Sequence, residues 1–208
     1  MPNEITLGCS LKDYPVRDSQ LVDNQDNKKL PGDLAMWFFI LAELTVFAVF
    51  FIGFAIAEQF NVDMFNDGKA QLHPMAGLIN TLALITSSFF VALALKKIKH
   101  QLTRPTAIYL TLAQVFAVIY IIVKVGEYQF LIDAGINIET NTFFTLYFLI
   151  TGFHLMHILL GMVILTYMTV QTLKRSYKQE LSGFESGACY WHMVDMLWII
   201  LFPLIYII

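Results

Sequence analysis

The sequence predicts an all-α integral membrane protein with five transmembrane helices, its N-terminus in the cytoplasm and its C-terminus outside. Of the 208 residues, 57% are hydrophobic and only 14% are charged, a balance that soluble domains do not show. Five stretches are apolar over about 20 residues, the length that a helix needs to cross a bilayer. Lysine and arginine are concentrated in alternate connections, as in multi-span proteins that follow the positive-inside rule.

The chain divides into a polar arm at residues 1–30 and a membrane domain at residues 31–208. The arm has no apolar run, so it is not a cleaved signal peptide, and we expect it to be loosely ordered in the cytoplasm. The fourth of the five spans exceeds the bilayer thickness and is expected to tilt or project. The predicted spans are residues 34–57, 75–95, 106–125, 142–173 and 189–208.

Basic residues decide the predicted orientation. The arm, the connection 96–105 and the connection 174–188 hold most of the lysines and arginines, whereas the connection 126–141 holds none. With five spans, the basic segments all fall on one side of the membrane. Because basic loops remain in the cytoplasm, both the N-terminus and these connections are expected there.

Several ionisable residues lie within the predicted spans, where a charge at the bilayer centre costs about 2.5–3.5 kcal/mol. Glu43 and Asp195 lie at similar depths, about 13 Å and about 9 Å from the cytoplasmic side by helical rise. His154 and His157 share a helix face because they are three residues apart. His192 and Asp195 do so for the same reason. We expect these groups to turn inward from spans one, four and five and to hydrogen-bond across helices.

Other interpretations of these residues stay open at this point. His154, His157 and His192 could ligate a metal or haem, although the first two are too close for stacked haems and five histidines are few for a di-iron enzyme. Glu43 could carry protons, as in a small proton-coupled transporter, although no internal repeat supports transport. No basic stripe indicates nucleic-acid binding. The sequence shows neither a phosphate loop nor a CxxC pattern, so no catalytic residue is assigned.

Three stretches resemble subunit III of the haem–copper oxidases. They are WFFILAELTVFAVFF (37–51), TGFHLMHILLG (151–161) and FESGACYWHMVDMLWIILFPLIYI (184–207). VGEYQF and LINTLALITSSFF also match patterns of this family, and the resemblance covers nearly the whole chain from Leu30 onward. Five spans instead of seven resemble its short form, which includes subunit III of bacterial quinol oxidases and the NorE-like proteins associated with nitric oxide reductase. LPGDLAMWFFILAE (30–43) is closer to the NorE-like form.

The resemblance implies a non-catalytic accessory subunit of a respiratory terminal oxidase or nitric oxide reductase, in the bacterial cytoplasmic (inner) membrane. Its partners would be the catalytic subunit I, with subunit II as a second, and membrane lipids. Haem and copper would belong to the partner subunits, so this chain would bind no cofactor or metal, with phospholipid as the one ligand the family allows. The resemblance also assigns a structural polar network to seven residues: Glu43, Glu127, His154, His157, Glu185, His192 and Asp195.

Overall fold

A computed structural model describes residues 34–174 and 181–207. The predicted arm at residues 1–30 and the middle of the connection 174–188 lie outside the described residues. In the part of the chain that is described, every regular element is an α-helix. The helices are α1 Leu34–Phe60, α2 Val62–Ala70, α3 Pro74–Lys99, α4 Thr103–Asp133, α5 Thr142–Leu173 and α6 Leu181–Tyr206.

Five of these helices, all except α2, are long and apolar enough to cross a membrane. This confirms the predicted fold class and the predicted number of spans. The orientation of the termini stays a prediction. The helices α4 and α5 contain 31 and 32 residues, so each is about 45 Å long or more, against a hydrocarbon core of about 30 Å.

The structure differs from the sequence-based boundaries in three main respects. The helix α4 continues to Asp133, eight residues past the predicted end of the third span at residue 125. The predicted polar connection after α1 contains the short helix α2, and α6 begins eight residues before the predicted start at Cys189. Hydropathy marks where a helix leaves the hydrocarbon, but backbone hydrogen bonding continues into the polar flank. Lys69 of α2 forms an ion pair with Glu58 near the end of α1, and this contact attaches the short helix α2 to α1.

The helices α3 to α6 form a four-helix bundle, and α1 packs along one side of it against α5 and α6. The apolar stretch of α6 is 56% buried, whereas that of α1 is only 17% buried. Phe47 and Phe54 are the fully buried anchors of α1. The core of the molecule therefore lies between α3, α4, α5 and α6, with α1 at its edge.

The helices α5 and α6 approach closely at Gly161. An added Cβ at this residue would lie 2.7 Å from the ring of Trp191, which is almost fully buried. Gly152, nine residues earlier on α5, has no atom within 4 Å of the corresponding position. A glycine is therefore required for packing at Gly161 but not at Gly152.

We expect Gly161→Ala to lower the free energy of unfolding by about 1–3 kcal/mol, because the methyl group overpacks the α5–α6 contact. Gly152→Ala is the matched control and should leave stability unchanged or slightly higher, since alanine favours the helix. Thermal unfolding of the protein purified in detergent measures both. Equal effects at the two glycines would contradict the proposed contact.

Candidate functional site

A buried ion pair lies on α4, where Lys124 Nζ is 2.9 Å from Glu127 Oε2. Residues three apart share a helix face, and here that face points into the bundle: the two side chains are 0% and 2% exposed. Tyr147 of α5 and Tyr206 of α6 also accept hydrogen bonds from the ammonium, at 2.9 and 3.0 Å. We call these four residues the Lys124 cluster.

The Lys124 ammonium finds all its hydrogen-bond acceptors within the Lys124 cluster. The ammonium has three N–H donors, and each has an acceptor within the cluster. The Tyr206 hydroxyl lies 2.8 Å from both oxygens of Glu127 and donates to the carboxylate. Nζ also lies 4.6 Å from the ring centroid of Tyr147, where the ring face attracts a cation. The cluster is neutral as a whole and joins α4, α5 and α6.

A second pair joins α1 to α5, where Glu43 Oε2 is 2.9 Å from His157 Nε2. His157 Nδ1 is 2.8 Å from the carbonyl oxygen of Phe153. A carbonyl oxygen can only accept, so Nδ1 carries a proton. The contact between Nε2 and Oε2 then needs one further proton, located either on the imidazole or on the carboxyl group. A hydrogen bond between Glu43 and His157 therefore joins α1 to α5.

A third contact joins α3 to α6. Ser88 Oγ lies 2.5 Å from His192 Nδ1, and Asp195 lies one turn further along α6 with its side chain almost fully buried. A hydroxyl can both donate and accept, so Ser88 can pair with either tautomer of the His192 ring. Asp195 Oδ1 has no hydrogen-bond partner among the described residues.

The remaining two of the seven predicted residues have different surroundings. Glu185, at the start of α6, forms a 2.9 Å ion pair with Lys99, whose side chain is half exposed. His154 is fully buried, and neither ring nitrogen has a hydrogen-bond partner within residues 34–174 and 181–207. Its ring is stacked on that of Trp198 with centroids 5.3 Å apart. Apolar rings therefore surround His154.

The seven residues lie in separate groups, although the sequence predicted that the acids and imidazoles of spans one, four and five would contact one another. Across those spans the described residues show only the pair Glu43–His157. His192 and Asp195 face α3 instead. Sequence position gives the depth of each residue, but the rotation of each helix is set by its packing, which the sequence pattern does not reveal.

Sequence reasoning missed Lys124, Tyr147, Tyr206 and Ser88. Lys124 was assigned to the edge of a connection because the third span was predicted to end at residue 125. A lysine three residues before a glutamate, just inside an apolar run, was the available signal. The two tyrosines and Ser88 had no such signal, because hydroxyl groups are common in membrane helices whether or not they form contacts between helices.

A metal site would need several ligands that converge. Within the described part of the chain, no group of three or more His, Cys, Asp or Glu side chains is placed to hold an ion. His154 and His157 are one turn apart, but His157 is bonded to Glu43 and Phe153, whereas His154 lies among aromatic rings. These two histidines are therefore not arranged as a ligand pair.

Comparisons with known proteins agree on one family. Residues 25–208 match the family model of cytochrome c oxidase subunit III. The chain is 30% identical over 181 residues to the heme-copper oxidase subunit I+III of Aeropyrum pernix, an alignment that covers 84% of this chain but only 22% of that longer protein.

Two further relatives are similar to the chain over most of their length. The cytochrome c oxidase subunit 3 of Thermostichus vulcanus is 27% identical over 177 residues, with 84% of this chain and 86% of that protein covered. The cytochrome bo(3) ubiquinol oxidase subunit 3 of Buchnera aphidicola is 24% identical over 184 residues, with 88% and 87% covered. The family resemblance found in the sequence motifs is thereby confirmed.

We expect Lys124→Met to lower the free energy of unfolding by about 3–5 kcal/mol, because it leaves the buried Glu127 carboxylate without its cation. The double variant Lys124→Met/Glu127→Gln should recover much of this loss, since the amide can still accept from Tyr206. Thermal unfolding in detergent provides the measurement. The control is Lys99→Met at the half-exposed pair, where about 0–1 kcal/mol is expected. A double variant less stable than Lys124→Met would contradict the ion pair.

Proposed function

Because the chain belongs to the cytochrome c oxidase subunit III family, we propose that it is the accessory subunit III of a respiratory haem–copper complex. It is a multi-pass membrane protein, with five helices of spanning length. In this proposal it supports the assembly and stability of the catalytic subunit and does not itself carry out the redox reaction. We place the complex in the bacterial cytoplasmic (inner) membrane, with the N-terminus of this chain in the cytoplasm.

The observation that supports an accessory role most directly is the way in which the buried charges are used. The Lys124 ammonium has all its hydrogen bonds within its own cluster, so this charge serves helix packing. The Glu43–His157 pair likewise connects two helices. Such contacts stabilise a membrane helix bundle and leave the redox chemistry to another subunit.

Subunit I is the proposed partner, because the Aeropyrum pernix relative carries subunits I and III in its name as a single protein. A fusion of this kind is consistent with two parts that lie side by side in the membrane. Subunit II is a second proposed partner. Haem and copper would be held by these partners, and membrane lipids, including bound phospholipid, would cover the exposed apolar faces of this chain.

The substrate of the complex follows from its relatives. The relatives named above are oxidase subunits, so we propose an oxygen-reducing terminal oxidase. Nitric oxide reductase is the second candidate, because the segment LPGDLAMWFFILAE resembles NorE-like proteins. The electron donor of the complex differs among the relatives, since one is named for cytochrome c and another for ubiquinol.

The proposal predicts that the tagged chain, extracted from its native membrane in mild detergent, co-purifies with a haem-containing catalytic subunit in equal amounts. Mass spectrometry identifies the partner, and oxygen and nitric oxide consumption distinguish the two candidate substrates. Recovery of this chain without a catalytic subunit would contradict the proposal. A Soret band that stays with this chain after the partners are removed would favour the haem-protein alternative.

We further expect Glu43→Leu and Asp195→Leu each to lower the yield of intact complex several-fold, while turnover per haem in the complex that remains changes little. Leucine at position 43 leaves the Nε2 atom of His157 without its partner, at a cost of about 1–3 kcal/mol. Leucine at position 195 removes the carboxyl group that lies one turn from the His192–Ser88 contact between α6 and α3. Haem content and oxygen consumption of the purified complex measure the two quantities separately.

Met196→Leu is the control for these variants, because Met196 adjoins Asp195 but is 62% exposed. It should change neither quantity. Normal yield with lost turnover in the Glu43→Leu complex would instead implicate Glu43 in proton handling.

A further inference from the structure

Three fully buried polar side chains from three helices have no hydrogen-bond partner in the described parts of the chain. They are Asn80 of α3, Tyr120 of α4 and His154 of α5, each 0% exposed. The unpartnered atoms are both polar atoms of the Asn80 amide, the Tyr120 hydroxyl and both ring nitrogens of His154. Buried polar groups are almost always paired with protein or with ordered water. Five such atoms in one bundle therefore need an explanation.

Asn80 and Tyr120 lie at the same level of the bundle. The Ser87 hydroxyl donates to the carbonyl oxygen of Ala113 at 2.8 Å, which sets the register of α3 against α4. The two helices run in opposite directions because only a short turn separates them. Asn80 is about two turns before Ser87 on α3, and Tyr120 is about two turns after Ala113 on α4. Because α3 and α4 are antiparallel and each residue lies about two turns from the Ser87–Ala113 contact on the same side, Asn80 and Tyr120 lie at one level.

Trp198 of α6 links His154 to this level. Its ring centroid is 5.0 Å from that of Tyr120 and 5.3 Å from that of His154, and the latter two are 6.1 Å apart. Its indole N–H donates to the hydroxyl of Thr81, the residue next to Asn80, at 3.0 Å. Tyr120 and His154 therefore contact one tryptophan in the centre of the bundle, and Asn80 lies on α3 beside the residue that this tryptophan hydrogen-bonds.

We propose that Asn80, Tyr120 and His154 form an internal site that binds ordered water between α3, α4 and α5. The amide, the phenol and a neutral imidazole together offer both donors and acceptors. Water both donates and accepts, and buried water in proteins typically makes about three hydrogen bonds. No carboxylate is among the three groups, and the Lys124 ammonium lies 5.5 Å from the Trp198 ring. A cation is therefore a poor ligand for this site, and a neutral molecule of the size of water suits it.

The site assigns a role to His154 that differs from metal or haem ligation. The proposed water site lies between two polar contacts made by α6. His192 contacts Ser88 nearly two turns before Trp198, and Tyr206 joins the Lys124 cluster about two turns after Trp198. Water at this site would then supply hydrogen bonds in the middle of the bundle, where the described side chains of Asn80, Tyr120 and His154 have none. This inference does not rest on the proposed function, since it concerns the core of this chain alone. In the tests below, the complex is the chain together with whatever proteins purify with it, or the chain alone if none does.

The first test is a density map of the intact complex, at a resolution that shows ordered water. We expect density within hydrogen-bond distance of at least two of the three groups Asn80, Tyr120 and His154. Direct hydrogen bonds among the three side chains would overturn the proposal. Density for a metal ion on His154 would overturn it as well.

The second test is a double-variant cycle on the melting temperature of the complex. Tyr120→Phe removes one hydroxyl, and Asn80→Leu replaces an amide by an apolar group of similar size. If both side chains bind the same water, Tyr120→Phe should lower the melting temperature less than half as much in the Asn80→Leu background as in the natural chain. Additive shifts would overturn the proposal, because independent sites add.

Ser87→Ala is the matched control, since Ser87 lies on the same α3–α4 contact but has its own partner, the Ala113 carbonyl. Its effect should add to that of Tyr120→Phe. If Asn80→Leu does not assemble, His154→Phe takes its place in the cycle, with the same expectation and the same result overturning it.

Discussion

The buried ion pair of Lys124 and Glu127 is the contact on which the arrangement of the bundle most depends. Neither protein interior nor lipid offers water to these charges, so each must find its partners on neighbouring helices. The partners are the hydroxyl groups of Tyr147 and Tyr206. Because these come from α5 and α6, two helices must meet α4 at one level. Displacing any of them along its axis would leave a charge without its hydrogen bonds.

The other helix pairs follow the same rule with smaller groups. Burial of apolar surface gives little drive for helices to associate in lipid, because the lipid tails are as apolar as the side chains. A polar contact does select a register, since it forms at one position only. Four pairs of packed spans have such contacts: Ser87 with the Ala113 carbonyl for α3–α4, Trp198 with Thr81 and Ser88 with His192 for α3–α6, Tyr128 with Thr151 for α4–α5, and Glu43 with His157 for α1–α5.

The position of α1 at the edge of the bundle bears on the proposed role. Most of its apolar stretch is exposed, and the pair formed by Glu43 with His157 connects it to the bundle. A helix that exposes this much apolar surface is stable only in lipid or against another membrane protein. An accessory subunit beside a catalytic subunit contacts lipid on one side and another membrane protein on the other. The four helices behind α1 are joined to one another by several polar contacts.

The sequence by itself determined the five spans, the depth of each ionisable residue and the family, because apolar length, helical rise and motif spacing are properties of the chain read in order. It also indicated that Glu43 and His157 would face inward. Only the tertiary structure decided that Lys124 belongs to the core, that His192 meets Ser88, and that His154 has no hydrogen-bond partner among the described residues. Those outcomes depend on the rotation and register of whole helices, which many weak contacts set together and which no local pattern contains.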